Sequence, residues 1–153
     1  MSPSPRPLEV FCDRSLGKRQ VPDALRAVGW QVYTMADVYG EEQAQHLPDE
    51  RWLSDAGTRG WVVLHKDASI ARLHQGQPGP ELAALIGAGV RAFCLMSAQL
   101  QGEEQARRFV AASAEIERIA SSQPGPFVYG LYTQDVRQVW PRPAAPVRGR
   151  TGA

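Results

Sequence analysis

Three aspartates stand where an α/β fold would bring their carboxylates together. Asp13 directly follows an apolar run at residues 8–12, and Asp67 follows, after two residues, an apolar run at 61–64. Both runs are typical of buried strands, and open α/β sheets bind ligands at the carboxyl ends of their strands. Two carboxylates in one crevice repel each other, so they usually share a cation or a proton. The pair therefore predicts the beginning of a metal site.

The third acid, Asp49, begins a helix that leads into the second of these strands. Pro48 followed by Asp49 and Glu50 is a usual helix opening, with a proline and an acidic first turn. The helix should run antiparallel to the following strand, which places Asp49 at the same sheet edge as Asp67. Glu50 points about 100 degrees away around the helix and is the reserve ligand. Three carboxylates plus water suit Mg²⁺ or Mn²⁺, and not zinc.

Each of these acids also has a purely structural interpretation. Asp49 before a helix can be a cap, and Asp13 can cap a helix that begins after Ser15. Asp67 at the end of a strand can be a turn residue. The joint placement is more informative than any one residue, because three independent caps need not share an edge of the sheet.

Strands and helices alternate along the chain and must position these acids. Strands are predicted at residues 8–12, 30–33, 61–64, 90–96, 127–132 and 136–140, and the last two form a closing hairpin. Helices are predicted around residues 21–28, 48–59 and 82–86, and the longest runs from 102 to 120. Loops are predicted at 35–47, where a helical turn around residues 41–45 is open, and at 68–79. Such crossovers require a mainly parallel sheet. The predicted fold class is α/β, a three-layer α/β/α sandwich with a C-terminal hairpin.

Length and composition favour one globular domain. The 153 residues, 43% hydrophobic and 22% charged, suffice for a full hydrophobic core. The predicted domain spans residues 8–140, between a disordered leader at 1–7 and a disordered basic tail at 141–153. No apolar run approaches the about 18 residues of a membrane span, and the N-terminus lacks an apolar signal core. We therefore expect a cytoplasmic protein, with Cys12 and Cys94 as reduced, buried residues of strands.

Other α/β chemistries are poorly supported by the sequence. A phosphatase of the haloacid-dehalogenase type needs a second aspartate at the position of Ser15, and a response-regulator receiver needs an acidic pair beside the first strand. There is no GxGxxG or GxxxxGK[ST] phosphate loop. There is also no GxSxG elbow that would mark a serine nucleophile.

Three short blocks resemble the PIN-like domain of VapC-type toxins. They are FCDRSLG at residues 11–17, PDERWL at 48–53 and GWVVLHKD at 60–67. The resemblance covers roughly residues 8–140, including the closing hairpin. It implies a Mg²⁺- or Mn²⁺-dependent endoribonuclease, often the toxin of a toxin–antitoxin pair, with an RNA substrate and a cognate antitoxin protein as its partner.

By position, Asp13, Asp49 and Asp67 match the catalytic, metal-binding acids of that family. Two features depart from its pattern. His65 stands where a threonine or serine is common, and we expect its side chain to face the helix layer and not the site. The glutamate that the family carries on an intervening helix has no evident counterpart in this chain. Asp37 is either a substitute for that glutamate or a surface residue.

Basic residues flank the three blocks and are candidates for binding the phosphates of RNA. They are Arg14, Lys18, Arg19, Arg51, Lys66 and Arg72. Ordinary solvated charges are the other interpretation of each. A homodimer through the helix containing Leu82, Leu85 and Ile86 and burial of those residues in the core are both open. The alternative function is a catalytically degenerate PIN-like module that binds RNA or protein, and a third is an RNA-processing nuclease.

Overall fold

The computed structural model describes residues 6–97 and 99–143. Its strands are β1 (Glu9–Cys12), β2 (Gln31–Thr34), β3 (Val62–His65), β4 (Leu73–His74), β5 (Gln77–Pro78), β6 (Arg91–Leu95), β7 (Phe127–Leu131) and β8 (Val136–Trp140). Its helices are α1 (Gln20–Val28), α2 (Met35–Tyr39), α3 (Glu41–Ala44), α4 (Asp49–Arg59), α5 (Pro80–Ala88), α6 (Gly102–Ala111) and α7 (Ser113–Ser122). Residues 1–5 of the predicted leader and 144–153 of the predicted tail lie outside the described residues.

One six-stranded sheet organises the molecule, in the order β2-β1-β3-β6-β7-β8. Neighbouring strands are parallel, except that β8 pairs antiparallel with β7. The predicted fold class, a mainly parallel α/β sheet with a closing hairpin, is thus confirmed. Among the described residues, no helix is both long and apolar enough to cross a bilayer.

Successive side chains of each strand point to opposite faces of the sheet, so a hydrophobic core forms on each face. Val10 and Leu64 face one core, where α1, α6 and α7 contribute Leu25, Phe109 and Ile116. The neighbours Phe11 and Val63 face the other core, where α4 and α5 contribute buried leucines. Burying each large apolar side chain contributes about 1.5–3 kcal/mol. The helices therefore cover both faces and form the predicted three layers.

Helices α4 and α5 pack closely side by side on the second face. A Cβ atom on Gly57 would lie only 2.5 Å from the Cβ of Ala88, so glycine is what permits this approach. Each helix starts at the carboxyl edge of the sheet and leads into a central strand, β3 or β6. Leu82 and Leu85 of α5 are fully buried in this core, so they offer no surface for the predicted dimer.

Two local predictions were wrong, at residues 35–39 and 102–120. The predicted helical turn around residues 41–45 is present as α3, but residues 35–39 form α2 instead of a loop. The amide of Asp37 donates to Thr34 Oγ1 at 3.1 Å, and Thr34 donates its own amide to Asp37 Oδ2 at 3.0 Å. This reciprocal capping box starts α2. The predicted long helix is divided at Ala112 (φ −92°, ψ 1°) into α6 and α7.

The predicted loop at residues 68–79 also contains regular structure. It begins with a 3₁₀ turn at Ala68–Ala71, and β4 and β5 then form a short antiparallel hairpin. At the hairpin tip, Gln75 and Gly76 have positive φ angles of 52° and 79°, which the bare backbone of a glycine adopts readily. The segment carries the chain from the end of β3 to the start of α5.

Candidate active site

A narrow cleft lies where the ends of β1 and β3 meet the starts of α4 and α5. The lining residues are Asp13, Asp49, Trp52, His65, Asp67, Ile70 and Glu81. The cleft holds about 20 Å³, which is room for roughly one water molecule or a small ion. The structure thus brings the three sequence-predicted aspartates to one place and adds Glu81 to them.

Asp13 is held at the cleft by its backbone and by its side chain. Its amide donates to the carbonyl of Leu64 at 3.0 Å, which extends the pairing of β1 with β3. Its carboxylate accepts from the Arg14 amide at 2.7 Å and from Ser15 Oγ at 2.9 Å. Ser15 Oγ in turn accepts from the amide of Lys66 at 3.3 Å. One hydroxyl therefore ties the two strand ends together.

The environment of Asp13 disfavours its charged form. The residue is only 8% exposed. Burial, followed by repulsion from Asp49, raises the pKa of the Asp13 carboxyl above its ordinary value, while the Ser15 hydroxyl opposes the shift. A cation in the cleft would relieve both causes of this rise.

Asp49 is the first residue of α4 and is partly buried. Its Oδ1 accepts from the indole Nε1 of Trp52 at 3.0 Å, and the Arg14 guanidinium lies 3.8 Å away. Arg14 also donates to the carbonyls of Gln45 and Leu47. Its guanidinium therefore fixes the segment that enters α4, and it is engaged by the protein itself.

Asp67 and His65 come from the end of β3. Asp67 is exposed, and its carbonyl accepts from Ile70 at 3.2 Å in the following turn. His65 was expected to face the helix layer and not the site. It does face the α4–α5 layer, but it also lines the cleft, because the cleft lies at the starts of those two helices. The expectation that the His65 side chain does not face the site was therefore wrong.

The His65 ring is buried, with an exposed fraction of 1%. Within the described part of the chain, neither ring nitrogen has a hydrogen-bond partner. Burial lowers the pKa of His65 to about 4, although both the charge and the backbone of Asp67 act in the opposite direction. The ring is therefore neutral near pH 7, with one nitrogen lone pair available.

Glu81 is the site residue that sequence reasoning missed. It is the second residue of α5, after Pro80, and repeats the proline–acid opening of α4. The same rule that selected Asp49 would have found it. Glu81 therefore adds a helical glutamate to the three predicted acids of the cleft.

The two other predicted acids lie elsewhere. Glu50 is exposed and is not among the residues that line the cleft. Asp37 belongs to the capping box of α2 and pairs with Arg26 at 3.0 Å. The structure thus gives Asp37 a role in local structure and brings neither residue to the cleft.

The chemistry of the donors fits a hard divalent cation. Four carboxylates supply the oxygens that Mg²⁺ and Mn²⁺ prefer, and the buried His65 ring lacks a partner. Across residues 6–97 and 99–143, however, no three His, Cys, Asp or Glu side chains form a finished metal-binding group. Asp13 and Asp49 accept hydrogen bonds from Arg14, Ser15 and Trp52, and each carboxylate keeps further oxygen lone pairs.

A wider basic groove lies beside the cleft. It holds about 390 Å³, and its lining includes Lys18, Arg19 and Lys66 together with Ser15, whose hydroxyl binds Asp13. Three of the predicted phosphate-binding residues, Lys18, Arg19 and Lys66, therefore line one surface. The other three line neither the groove nor the cleft: Arg14 donates to the segment that enters α4, Arg51 pairs with Asp55 at 3.4 Å, and Arg72 is exposed.

Comparisons with known proteins found a matching family and a similar protein. The model of a family described as "PIN like domain" matches residues 8–97. The chain is 38% identical over 130 residues to "Putative ribonuclease VapC45" of Mycobacterium tuberculosis, an alignment that covers 85% of this chain and 90% of that protein. A comparison with solved structures gave no significant match.

Proposed function

The chain belongs to the PIN-like domain family, of the VapC type, and we propose that it is a metal-dependent endoribonuclease. The observation that carries the proposal is the cleft, in which Asp13, Asp49, Asp67 and Glu81 face one space of about 20 Å³. Carboxylates so placed are costly to keep charged without a cation. The ribonuclease named among the relatives of this chain supports RNA as the substrate.

Asp13, Asp49 and Asp67 would hold the ion, with Glu81 as the fourth acid. When bound, a divalent cation lowers the pKa of a water molecule and neutralises charge that develops on the scissile phosphate. Ser15 and the Arg14 amide hold the Asp13 carboxylate in place, and Trp52 orients Asp49. The protein thus prearranges its oxygens at the joined ends of β1 and β3.

The basic groove would hold the RNA backbone. Lys18, Arg19 and Lys66 are suited to phosphates on one side of the cut, since such contacts position a nucleic acid without reading its sequence. In-line attack by water forms a new P–O bond and breaks the bond to the 3′-oxygen. The leaving oxygen takes up a proton, so the products carry a 5′-phosphate and a 3′-hydroxyl.

The biological setting is part of the proposal. We place the chain as the toxin of a toxin–antitoxin pair in the cytoplasm, with a cognate antitoxin protein as its partner, because its relative carries the VapC name. Expression of the active chain should then arrest growth, and co-expression of the protein encoded beside it should restore growth. If expression of the active chain leaves growth unchanged, that result would favour an RNA-processing role instead.

One alternative function has support in the structure. A catalytically degenerate module that binds RNA or protein is favoured by the lack of a finished metal-binding group in the described residues and by His65 in place of a hydroxyl residue. Such a module would take up no divalent ion at millimolar concentration and would cut no RNA. The nuclease proposal predicts the opposite, that the chain binds a divalent ion and cuts RNA.

The direct test is cleavage of a labelled single-stranded RNA by the full chain in Mn²⁺ or Mg²⁺. We expect products with 5′-phosphate ends, loss of activity in EDTA and recovery when Mn²⁺ is restored. An Asp67→Asn variant purified in the same way controls for contaminating ribonucleases. Cleavage that persists in EDTA, or products that end in a 2′,3′-cyclic phosphate, would contradict the proposal.

A further inference from the structure

The buried imidazole of His65 is unexplained by the proposed reaction. It is the last residue of β3, its ring is 1% exposed, and neither ring nitrogen has a partner in the described part of the molecule. A buried polar group without a partner costs free energy, so native proteins rarely keep one without a reason. The open space next to this ring is the acidic cleft, which His65 lines with Asp13, Asp49 and Glu81.

A ligand that pairs with His65 must suit both an imidazole and carboxylates. A neutral imidazole offers one nitrogen lone pair, and carboxylates offer oxygen lone pairs. Among small species, a divalent metal ion accepts both kinds of donor at once. The cleft has room for one such ion and little more.

We infer that His65 supplies a nitrogen ligand to the divalent cation of the cleft and makes the site prefer a transition-metal ion such as Mn²⁺ to Mg²⁺. The inference rests on the proposed function, since it needs a cation among the carboxylates. Mg²⁺ is small and hard and is bound through oxygen ligands and retained water. Imidazole suits transition-metal ions, so one nitrogen ligand raises the affinity of the site for them relative to Mg²⁺.

A different role for His65 is a hydrogen bond from its ring N–H to a cleft carboxylate. The ring would then orient an acid without touching the ion. The two roles differ in one measurable property, which is direct coordination of nitrogen to the metal. A nitrogen ligand couples magnetically to the unpaired electrons of Mn²⁺, whereas a ring that only orients a carboxylate gives no coupling of that strength.

The test uses the full chain, stripped of metal and loaded with one equivalent of Mn²⁺, in pulsed electron paramagnetic resonance. We expect the coupling of a directly bound nitrogen, which changes to the ¹⁵N pattern when the histidines are labelled with ¹⁵N. The His74→Asn variant is the matched control, because His74 is exposed in the β4–β5 hairpin. It should keep the coupling, and His65→Asn should lose it.

Calorimetry provides the second readout. Loss of His65 should weaken Mn²⁺ binding by about tenfold or more, the scale on which groups around a metal affect its affinity, and should leave Mg²⁺ binding nearly unchanged. His65→Thr offers a second side chain if His65→Asn fails to fold, and the wild-type spectrum is informative without any variant. Bound Mn²⁺ without coordinated nitrogen overturns this inference but leaves the nuclease proposal standing. Failure of the wild type to bind Mn²⁺ overturns both.

Discussion

Two cavities of this molecule differ in size and in charge. The larger, about 430 Å³, lies between the α6–α7 region and the β7–β8 turn, and charged residues line it. There Arg108 pairs with Glu104 at 3.3 Å, and Asp135 pairs with Arg137 at 3.1 Å. The cleft of about 20 Å³ is lined by four carboxylates, and its described lining includes no lysine or arginine.

The comparison indicates which property marks a functional site in this fold. In the large cavity, opposite charges on neighbouring side chains cancel, which is the ordinary state of a protein surface. In the cleft, burial raises the pKa of Asp13, and Asp49 adds to the effect. The charged form of Asp13 is thus unfavourable at this edge of the sheet, and groups with shifted pKa values cluster at functional sites. Concentrated charge of one sign is more informative here than volume.

The largest expected effect comes from removing one charge from the cleft. Asp67→Asn should lower the rate of RNA cleavage by about 100-fold or more, because the ion loses a charged ligand. The matched change in the large cavity, Asp135→Asn, should leave the rate unchanged. Rates measured in Mn²⁺ with one RNA check both variants. Equal rates of RNA cleavage by the two variants would contradict the claim that the cleft, and not the large cavity, is the functional site.

The next effect distinguishes the two glutamates at the helix starts. Glu81→Gln should reduce the cleavage rate by about tenfold, the lower end of what a group supporting a metal site contributes. Glu50→Gln should have little effect, because Glu50 is exposed outside the cleft. The same assay on both variants checks the assignment. A loss confined to Glu50→Gln would restore the assignment made from the sequence.

The smallest effect is on stability and depends on pH. The pKa of Asp13 is raised in the folded state, so the folded protein holds that proton more tightly than the unfolded chain does. As pH rises from the ordinary value of 3.8 through the folded pKa, the free energy of unfolding therefore falls. Asp13→Asn removes the titrating group. In EDTA near pH 7 it should be more stable than the wild type, by a free energy of the order of 1 kcal/mol.

Thermal melting across this pH range checks that expectation. The advantage of Asp13→Asn should shrink as pH falls below 3.8, because below that value the wild-type carboxyl is protonated in both states. Saturating Mn²⁺ should reverse the order, since an ion at 100 times its Kd stabilises the wild type by about 2.7 kcal/mol. A variant less stable than the wild type at pH 7 in EDTA would contradict the interpretation of the Asp13 environment.

The sequence predicted the parts of the fold that follow from long-range pattern. Apolar runs between helical periods require a parallel sheet, and a parallel sheet gathers its carboxyl ends at one edge. Asp13 and Asp67 follow from that rule, Asp49 follows from the antiparallel run of α4 into β3, and the cleft contains all three. This part of the site was predictable because it depends on the order of the elements and not on side-chain detail.

The wrong predictions concern segments whose structure depends on local hydrogen bonds and side-chain packing. The Thr34–Asp37 capping box turned a predicted loop into α2, and its TxxD spacing gave a weak signal. Glu81 was missed because the helix was placed from its apolar stripe, which begins one residue later. His65 was assigned by strand alternation to the helix layer, and alternation cannot show that the cleft opens into that layer. These features depend on how α4 and α5 pack.

The most direct test of the central claim is calorimetric titration of the full chain with Mn²⁺, compared with Asp13→Asn. We predict one binding event for the wild type and its loss in the variant, with both proteins folded. No Mn²⁺ uptake by the wild type up to millimolar concentration, or equal uptake by the two proteins, would contradict the assignment of this cleft as the metal centre of a nuclease.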